Sequence, residues 1–422
     1  METQAQVFKR ASAMPAPTWH FLNMNDTEIE IPEGLAILPN VEVSEPWCAH
    51  AASDEFEDAM ARAQKDWEET HPEPTAEEIA AREEFLAAEA DATYGGTAQS
   101  GYQIGADAIE ESRSLSVAFE TGIGGEAAAY LRYAAGNRTA IVADSGKTAE
   151  AQIVVTGVEG AMSAAAIDIV AGERSIVNLS IVVTGVGPSS APSLTGTTLR
   201  VFAGADAQVN ITRTQALDAG FIDLDDMGVF AAERARIVVT QTVLGASETY
   251  TGLATDLRGD ASRIDIVTRY LGHDNRLLDF NYIVRHHGEK TECDLKANGV
   301  LAGTSRKTLR GTIDLIRGAK GAQGSENETV LLVDEGVKNK TVPVILCNED
   351  DVAGNHGATI GHIREEQMFY LASRGLSREE AESMFVSAIM EQAAIDAPDD
   401  TARSAVVRLG ESVAPGFATL FE

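Results

Sequence analysis

The residues best suited to chemistry lie near the C-terminus. His356 sits in Gly354-Asn-His-Gly-Ala358, where flexible backbone and small neighbours leave an imidazole accessible. Cys347 ends the apolar run Val344-Ile-Leu, and thiolate and neutral imidazole are both good ligands for iron. Cys293 reads as a small buried hydrophobe, and His286, beside His287 after the strand-like Phe280 to Val284, as strand surface. None of the 8 histidines falls in HExxH or in a recognisable Ser/His/Asp setting. The 3 cysteines, Cys48, Cys293 and Cys347, form no CxxC pair, so neither a closed zinc site nor a disulfide framework is expected. Gly122-Ile-Gly-Gly-Glu-Ala127 is a loose GxGxxA, but the chain returns to strand at Asn137 without a second parallel unit. An ordinary chain corner is the expected reading there. Gly146-Lys-Thr148 resembles the end of a phosphate loop, yet Ile141 stands where the earlier glycine belongs, which argues against ATP hydrolysis by this chain.

A long non-helical region must position these side chains. Beyond residue 100, short Val/Ile/Ala runs alternate with Gly, Asp and Ser until about residue 363. VVTGV begins at Val154 and again at Val182, an offset of 28. Stretches starting at Ala203, Ala231 and Gly259 share small residues followed by alternating β-branched positions, with the same offset between starts. A fourth copy begins at Ala171, 32 upstream, and the loop from Gly187 to Ser193 accounts for the longer step. Such a repeat predicts a β-solenoid over residues 99–360, in which each coil stacks on its neighbours and alternate side chains point inward. A sandwich or barrel is the alternative for short strands with turns. Open solenoid ends expose unpaired edges, so caps are expected, and the helical termini are the material for them.

Residues 1–98 read as an N-terminal helical domain with an irregular leader, broken by Pro15, Pro17, Pro32, Pro39 and Pro46. Phe56, Met60, Ala63 and Trp67 recur at helical spacing, and a second helix starts at the Thr75/Glu78 box. Residues 361–422 form a C-terminal helical domain. Its first helix ends at Gly375, Ser377 and Glu380 cap the second, and Ala381, Met384, Phe385, Ala388 and Ile389 make one apolar stripe. A net charge of −32 argues against nucleic acid or an anionic membrane as partner. Much of that charge lies between Asp54 and Asp91, where fourteen acids face only Arg62, Lys65 and Arg82 and read as a solvated helical face. No apolar run approaches the length of a membrane span, and the N-terminus has no h-region, so a reducing cytoplasm is the expected compartment.

The run NEDDVAGNHGATIGHIREEQMFYLASRGLSREEAESMFVSAIME, from Asn348 to Glu391, resembles the C-terminal signature of the SufB/SufD family of iron–sulfur cluster assembly scaffolds, on its SufD side. DDV, HGAT-x-G and EEQ-x-FYL-x-SRG carry the likeness. Asp279 and His286 match the family's D-x6-H spacing, and Leu331-Leu-Val-Asp334 to Pro343 resembles its LLLSD…P stretch. The resemblance implies a right-handed parallel β-helix flanked by helical domains, acting as a non-catalytic subunit. Its implied partners are a SufB-like paralogue, met through the β-helix, and a SufC-like ABC-type ATPase, met through the C-terminal helices. Phe369, Tyr370, Leu371, Arg374, Gly375, Met384 and Phe385 would form the docking face for the ATPase. His356 matches the family histidine at the paralogue interface, with Cys347, His286 and Cys293 as weaker candidates. No stably bound cofactor is implied; iron or a nascent iron–sulfur cluster would be held transiently. Two departures stand out: Gly354 occupies a place where the family often has cysteine, and Arg364 stands where an aspartate cap is common. A SufB-like or self-associating scaffold, a homodimer included, remains an alternative. A β-helix polysaccharide lyase or hydrolase is the rival from another class.

Overall fold

The computed structural model describes residues 2–16, 24–44, 49–70, 119–187, 192–362, 365–414 and 416–421. Two compact units emerge, Met1–Ser53 with Glu120–Glu422, and Asp54–Phe119. In the smaller, helix α1 (Glu55–Thr70) has the expected periodicity and buries Phe56 and Ala59. The helix expected from Thr75 lies outside the described residues, as do Cys48 and Arg364.

The larger unit is a parallel β-solenoid of about eight coils. From Arg138–Ala143 to Ala353–His362, successive strands alternate between two parallel sheets, so each strand pairs with the strand two places on in sequence. At the corners sit residues in left-handed conformation that are not glycine, Arg174, Asp206, Arg234, Ala261 and Lys290. Their amides turn along the solenoid axis: Arg174 N donates to the Ala205 carbonyl, Asp206 N to Glu233 and Arg234 N to Asp260. A left-handed residue costs about 1–2 kcal/mol, and this corner ladder of inter-coil hydrogen bonds offsets it. The small residues of the repeat, Ser175, Ala207, Ala235 and Ser262, follow these positions and are fully buried.

Coil length drifts from the spacing read in the repeat. Gln208 faces Arg236 at that spacing, but Arg236 faces Arg263, one position short of it, and Arg306 faces Lys338, four positions beyond it. The copy starting at Gly259 is therefore one residue out of register: Gln215 faces Val243 but Ile222 faces Glu248, so the corner between Val243 and Glu248 is two residues short, and the bulge where Arg258 N and Gly259 N both donate to the Ala231 carbonyl returns one.

The lumen is filled by inward rows such as Val209, Ile211, Ile237, Val239, Ile264 and Ile266. Helix α2 (Gly125–Ala135) buries Ala127, Ala128, Leu131 and Ala134 on the outer face of one sheet, against Met162 and Leu194. The GxGxxA segment thus leads into a helix laid on the sheet and is no corner. Its glycine permits close approach: a Cβ on Gly122 would lie 1.9 Å from Leu253 N.

Three further helices follow the solenoid: α3 (Glu365–Ser373), α4 (Arg378–Ile395) and α5 (Asp400–Val413). Val386, Met390, Ala393, Ala402, Val406 and Leu409 cover Val182, Ala216, Leu244 and Leu271 on the outer face of the second sheet. Arg408 donates to Asp218 at 2.7 Å, and Ser180 Oγ to Asp399 at 2.5 Å. Helices α4 and α5 thus clothe a flank of the solenoid and not its end, where helical caps were expected. The apolar stripe finds a flat apolar wall on the sheet face; a sheet edge offers unpaired amides that no such stripe satisfies.

Among its described residues, the leader expected to be irregular contains five short strands, Gln6–Ala11, Thr27–Ile31, Ala36–Leu38, Val41–Ser44 and Ala49–Ala51. Val41–Ser44 and Ala49–Ala51 pair antiparallel with Thr148–Gly157 and Arg138–Ala143, so strands cover the first coil. These strands escape a periodicity reading because each is short and prolines lie between them. Among the described residues, no helix is long and apolar enough to cross a membrane.

Candidate functional site

At the other end the solenoid is open among the described residues. Lys338–Cys347 and Ala353–His362 are the last strands of their sheets, each paired on one side only among the described residues. Along Ala353–His362 every residue but Gly361 is exposed. Strand alternation places Asn339, Thr341, Pro343, Ile345 and Cys347 on the inward row of one sheet, above Lys307, Leu309, Gly311, Ile313 and Leu315. Gly354, His356, Ala358 and Ile360 are the inward row of the other, above Gly324, Glu326, Glu328 and Val330. The last coil therefore presents its lumen as a mouth. His356 and Cys347, picked out by residue type, both stand on the inner rows of its rim, exposed because no coil lies above them.

Gly354 faces Ile345, whose Cγ2 would sit 3.0 Å from a Cβ there. Ile345 fills the place that a cysteine at this position would use, so the departure at Gly354 is matched across the mouth. Cys347 is the next inward residue after Ile345, with its Sγ 3.3 Å from the Glu349 carbonyl oxygen.

His286 and Cys293 lie deeper and meet each other. Nε2 of His286 is 3.3 Å from Cys293 Sγ, and Nδ1 is 2.8 Å from Thr291 Oγ1. His286 is fully buried, which overturns its reading as strand surface; the strand runs on to residue 286 and turns the ring into the lumen. Burial, with His287 beside it, pushes the His286 imidazole down to about 4. Burial likewise drives the Cys293 thiol up to about 12. Neutral imidazole beside neutral thiol is a packed pair, without the thiolate that metal binding or nucleophilic attack requires. Iodoacetamide at pH 8 should accordingly label Cys347 in the native protein and reach Cys293 only after unfolding. Peptide mapping checks this, and rapid native labelling of Cys293 would contradict it.

Composition gave no sign of the charged groups inside the lumen. Arg213 donates to Asp223 at 2.8 Å and lies 3.1 Å from Asp225. Thr195, Thr197 and Gln241 complete those carboxylates at 2.7, 2.8 and 2.8 Å. Nearer the mouth, Glu328 accepts from Lys307, Tyr270 and Thr341. Glu326, on the same row, is pushed up to about 7 by burial and by Glu328 beside it. Parity was the available signal: Arg213 follows Val209 and Ile211 by even steps, which puts it on the inner row. On the outer face, Asp279 of the D-x6-H pair holds Arg310 at 2.7 Å, and Arg310 donates to the carbonyls of Met24 and Asp26. That pair anchors the leader.

The expected docking residues divide in two. Phe369 is 77% exposed, Tyr370 57% and Met384 50%. Arg374 stacks 5.2 Å from the Tyr370 ring centroid, and Gly375 ends α3 with φ 89°. Phe385 and Ile389 instead pack partly buried against the α4–α5 cluster, and Leu371 is half-buried. An apolar, aromatic surface next to a flank helix can bind another protein; the buried members hold it in shape.

Comparison with known proteins agrees with this geometry. Residues 153–389, more than half of the chain, match the family description "SUF system FeS cluster assembly, SufBD core domain". Iron-sulfur cluster assembly protein SufD of Bacillus subtilis is 24% identical over 212 residues, 50% of this chain and 48% of its own length. A SufBD family protein of Mycobacterium leprae is 28% identical over 172 residues, 39% of this chain and 20% of its own. A chloroplastic SufBD family protein of Arabidopsis thaliana is 26% identical over 173 residues, 41% of this chain and 31% of its own. The chain thus spans about half or less of the length of these relatives. With the matched region running through the solenoid to the helix that follows its open mouth, the chain belongs to the SufBD family of iron–sulfur cluster assembly proteins.

Proposed function

We propose that this chain is a non-catalytic, SufD-like scaffold subunit of a cytoplasmic, ATP-dependent iron–sulfur assembly complex. The observation that carries the reading is the last coil: two strands of equal length, each paired on one side only among the described residues, flank a lumen mouth with His356 on its rim. A long exposed edge is an aggregation hazard unless another chain pairs with it. A SufB-like paralogue is the proposed occupant, and iron or a nascent cluster is the cargo passed across the joint. Ala353–His362 contains no Lys, Arg, Asp or Glu, so nothing charged along it opposes a second copy of the chain either. The surface of Phe369, Tyr370 and Met384 is the proposed seat of a SufC-like ATPase. It lies beside the mouth in sequence, and movement of α3 would pull directly on Ala353–His362.

Co-expression with SufB-like and SufC-like proteins tests this. Phe369→Asp with Tyr370→Asp should cost the ATPase and keep the paralogue, whereas His356→Ala should keep the whole complex and lower cluster yield several-fold. A folded double mutant that still holds the ATPase, or an unchanged cluster yield, would remove the corresponding half of the proposal. Recovery of the chain as a homodimer alone would favour self-association.

A further inference from the structure

The leader runs along the solenoid from its closed end to its mouth. Gln6–Ala11 and Thr27–Ile31 form an antiparallel hairpin, with Gln6 facing Ile31 and Ala11 facing Thr27. Its base sits by the first coils, where Ala36–Leu38 pairs with Ala161–Ser163 and Glu2 bridges Ala36. Phe8, Ile29, Ile31 and Leu35 then cross the outer face of that sheet in one cluster with Met162, Leu194, Leu224 and Tyr250. The far end reaches the mouth. Met14 and Met24 are buried with Val342 and Val344, and Leu346 packs against them. Val342, Val344 and Leu346 are the outward row of Lys338–Cys347, the last strand of the sheet. From Ala161–Ala171 to Lys338–Cys347 the sheet is about 29 Å wide at about 4.8 Å per strand, a distance the chain from Met24 to Ala36 covers at about 3.3 Å per residue.

The two ends are held differently. At the base the hold is strand pairing, and Ile29 and Phe8 are fully buried beyond it. At the far end Arg310 makes the grip: its Nε donates to the Met24 carbonyl at 2.6 Å, one terminal nitrogen to the Asp26 carbonyl at 3.0 Å, and the other to Asp279 at 2.7 Å. A planar fork can serve three acceptors at once. Met14 N, donating to the Asn25 carbonyl, keeps the two legs of the hairpin together there. On the inner face of the same edge strand, Thr341 bonds Lys307 and Glu328. Lys338–Cys347 is thus gripped from both faces.

We infer that the leader hairpin is a latch on the mouth: its far end, Met14 and Met24 above Arg310, clamps the outer face of the edge strand Lys338–Cys347 and releases it while the base stays paired. The asymmetry follows from the contacts. Releasing the far end exposes a few aliphatic and methionine side chains and gives up two hydrogen bonds to carbonyls, whereas releasing the base also unpairs strands. Release bares Val342, Val344 and Leu346, an apolar row on a strand paired on one side only among the described residues. An apolar edge strand invites pairing by another chain. The latch therefore steadies the last coil and screens its outer row.

Hydrogen exchange on the purified full-length chain, with peroxide oxidation of the methionines as a second reading, tests the latch by mass spectrometry. In wild type, Met14 and Met24 should oxidise about tenfold or more slower than the exposed Met384. Met14→Asp with Met24→Asp should expel the far end, so that amides of Lys338–Cys347 exchange about tenfold faster while those of Thr27–Ile31 and Gln323–Leu332 stay within about twofold. Arg310→Lys keeps a cation for Asp279, but one ammonium cannot span the carboxylate and both carbonyls. In that variant Met14 and Met24 should oxidise several-fold faster, with exchange in Thr27–Ile31 unchanged. Wild-type exchange of Lys338–Cys347 in the folded double variant overturns the latch, as does wild-type Met14 and Met24 oxidising as fast as Met384. Equal acceleration of Thr27–Ile31 and Lys338–Cys347 overturns it too, since the hairpin then leaves as one piece. Should the double variant not fold, Arg310→Lys decides alone: oxidation of both methionines at the wild-type rate sinks the latch.

Discussion

Arg213→Met should lower the free energy of unfolding by about 3–5 kcal/mol, the range for removing one partner of a buried ion pair. Its guanidinium is 1% exposed and stands between Asp223 and Asp225, both in the lumen and both fully buried. Removing the cation leaves two carboxylates facing each other without water. Burial already holds the Asp225 carboxyl above the usual range even with the arginine present. The damage should spread beyond one coil, since Thr195 and Thr197 reach these acids from the preceding coil and Gln241 from the following one. Urea unfolding at pH 7 measures the loss. Adding Asp223→Asn and Asp225→Asn to Arg213→Met should recover most of it, because no buried charge then remains unpaired. A single mutant within about 1 kcal/mol of wild type would mean that the acids carry protons and the ion pair contributes little.

What could be read from the sequence followed from local rules. The Ser377/Glu380 capping box is present with both hydrogen bonds, and Gly375 has the left-handed φ that ends α3. The repeat at offsets of 28 pointed to the solenoid, because stacked coils of similar length return the same small corner residues and alternating strands. The exposure of His356 was expected from its small neighbours, whereas its physical cause is its place on the last strand of its sheet. Which end of the solenoid is closed was not legible, since closure depends on very short strands whose pairing is set by the tertiary structure. The meeting of His286 with Cys293 was equally hidden: they stand on strands of opposite sheets, and the corner between them decides that they touch. Register failed at the corner from Val243 to Glu248, which is two residues short, with the Arg258–Gly259 bulge returning one of them.

The interior charges bear on how the solenoid can move. A lumen packed only with Val and Ile would let neighbouring coils slide in register at little cost, whereas ion pairs and hydrogen bonds that span coils fix it. Arg213 does this in the middle of the solenoid and Lys307–Glu328 near the mouth. Thr341 ties the last coil to this lattice, bonding both Lys307 and Glu328. Force applied through α3 would act on that coil first.

His286→Gln should remove an acid-sensitive part of the stability. The ring is fully buried, and its folded-state value near 4 lies below the ordinary 6.5 because burial, with His287 beside it, disfavours the cation. A depressed value means that the stabilisation is complete above pH 6.5 and is lost as the pH falls from 6.5 to 4. That interval corresponds to about 3 kcal/mol, since one pH unit is about 1.4 kcal/mol. Glu326 runs the other way: its carboxyl is raised from 4.5 to about 7, so its contribution is present below pH 4.5 and lost as the pH rises through 7. The two trends flatten the wild-type curve, and only the difference between wild type and variant isolates the histidine. Glutamine keeps a donor or acceptor for Thr291 and Cys293 but cannot take up a proton. Unfolding free energies at pH 7, 5.5 and 4 should therefore converge, with the wild-type advantage at pH 7 shrinking by about 3 kcal/mol at pH 4. Parallel curves would show that the imidazole takes up its proton as readily in the folded protein as in the unfolded chain, so that burial does not depress it.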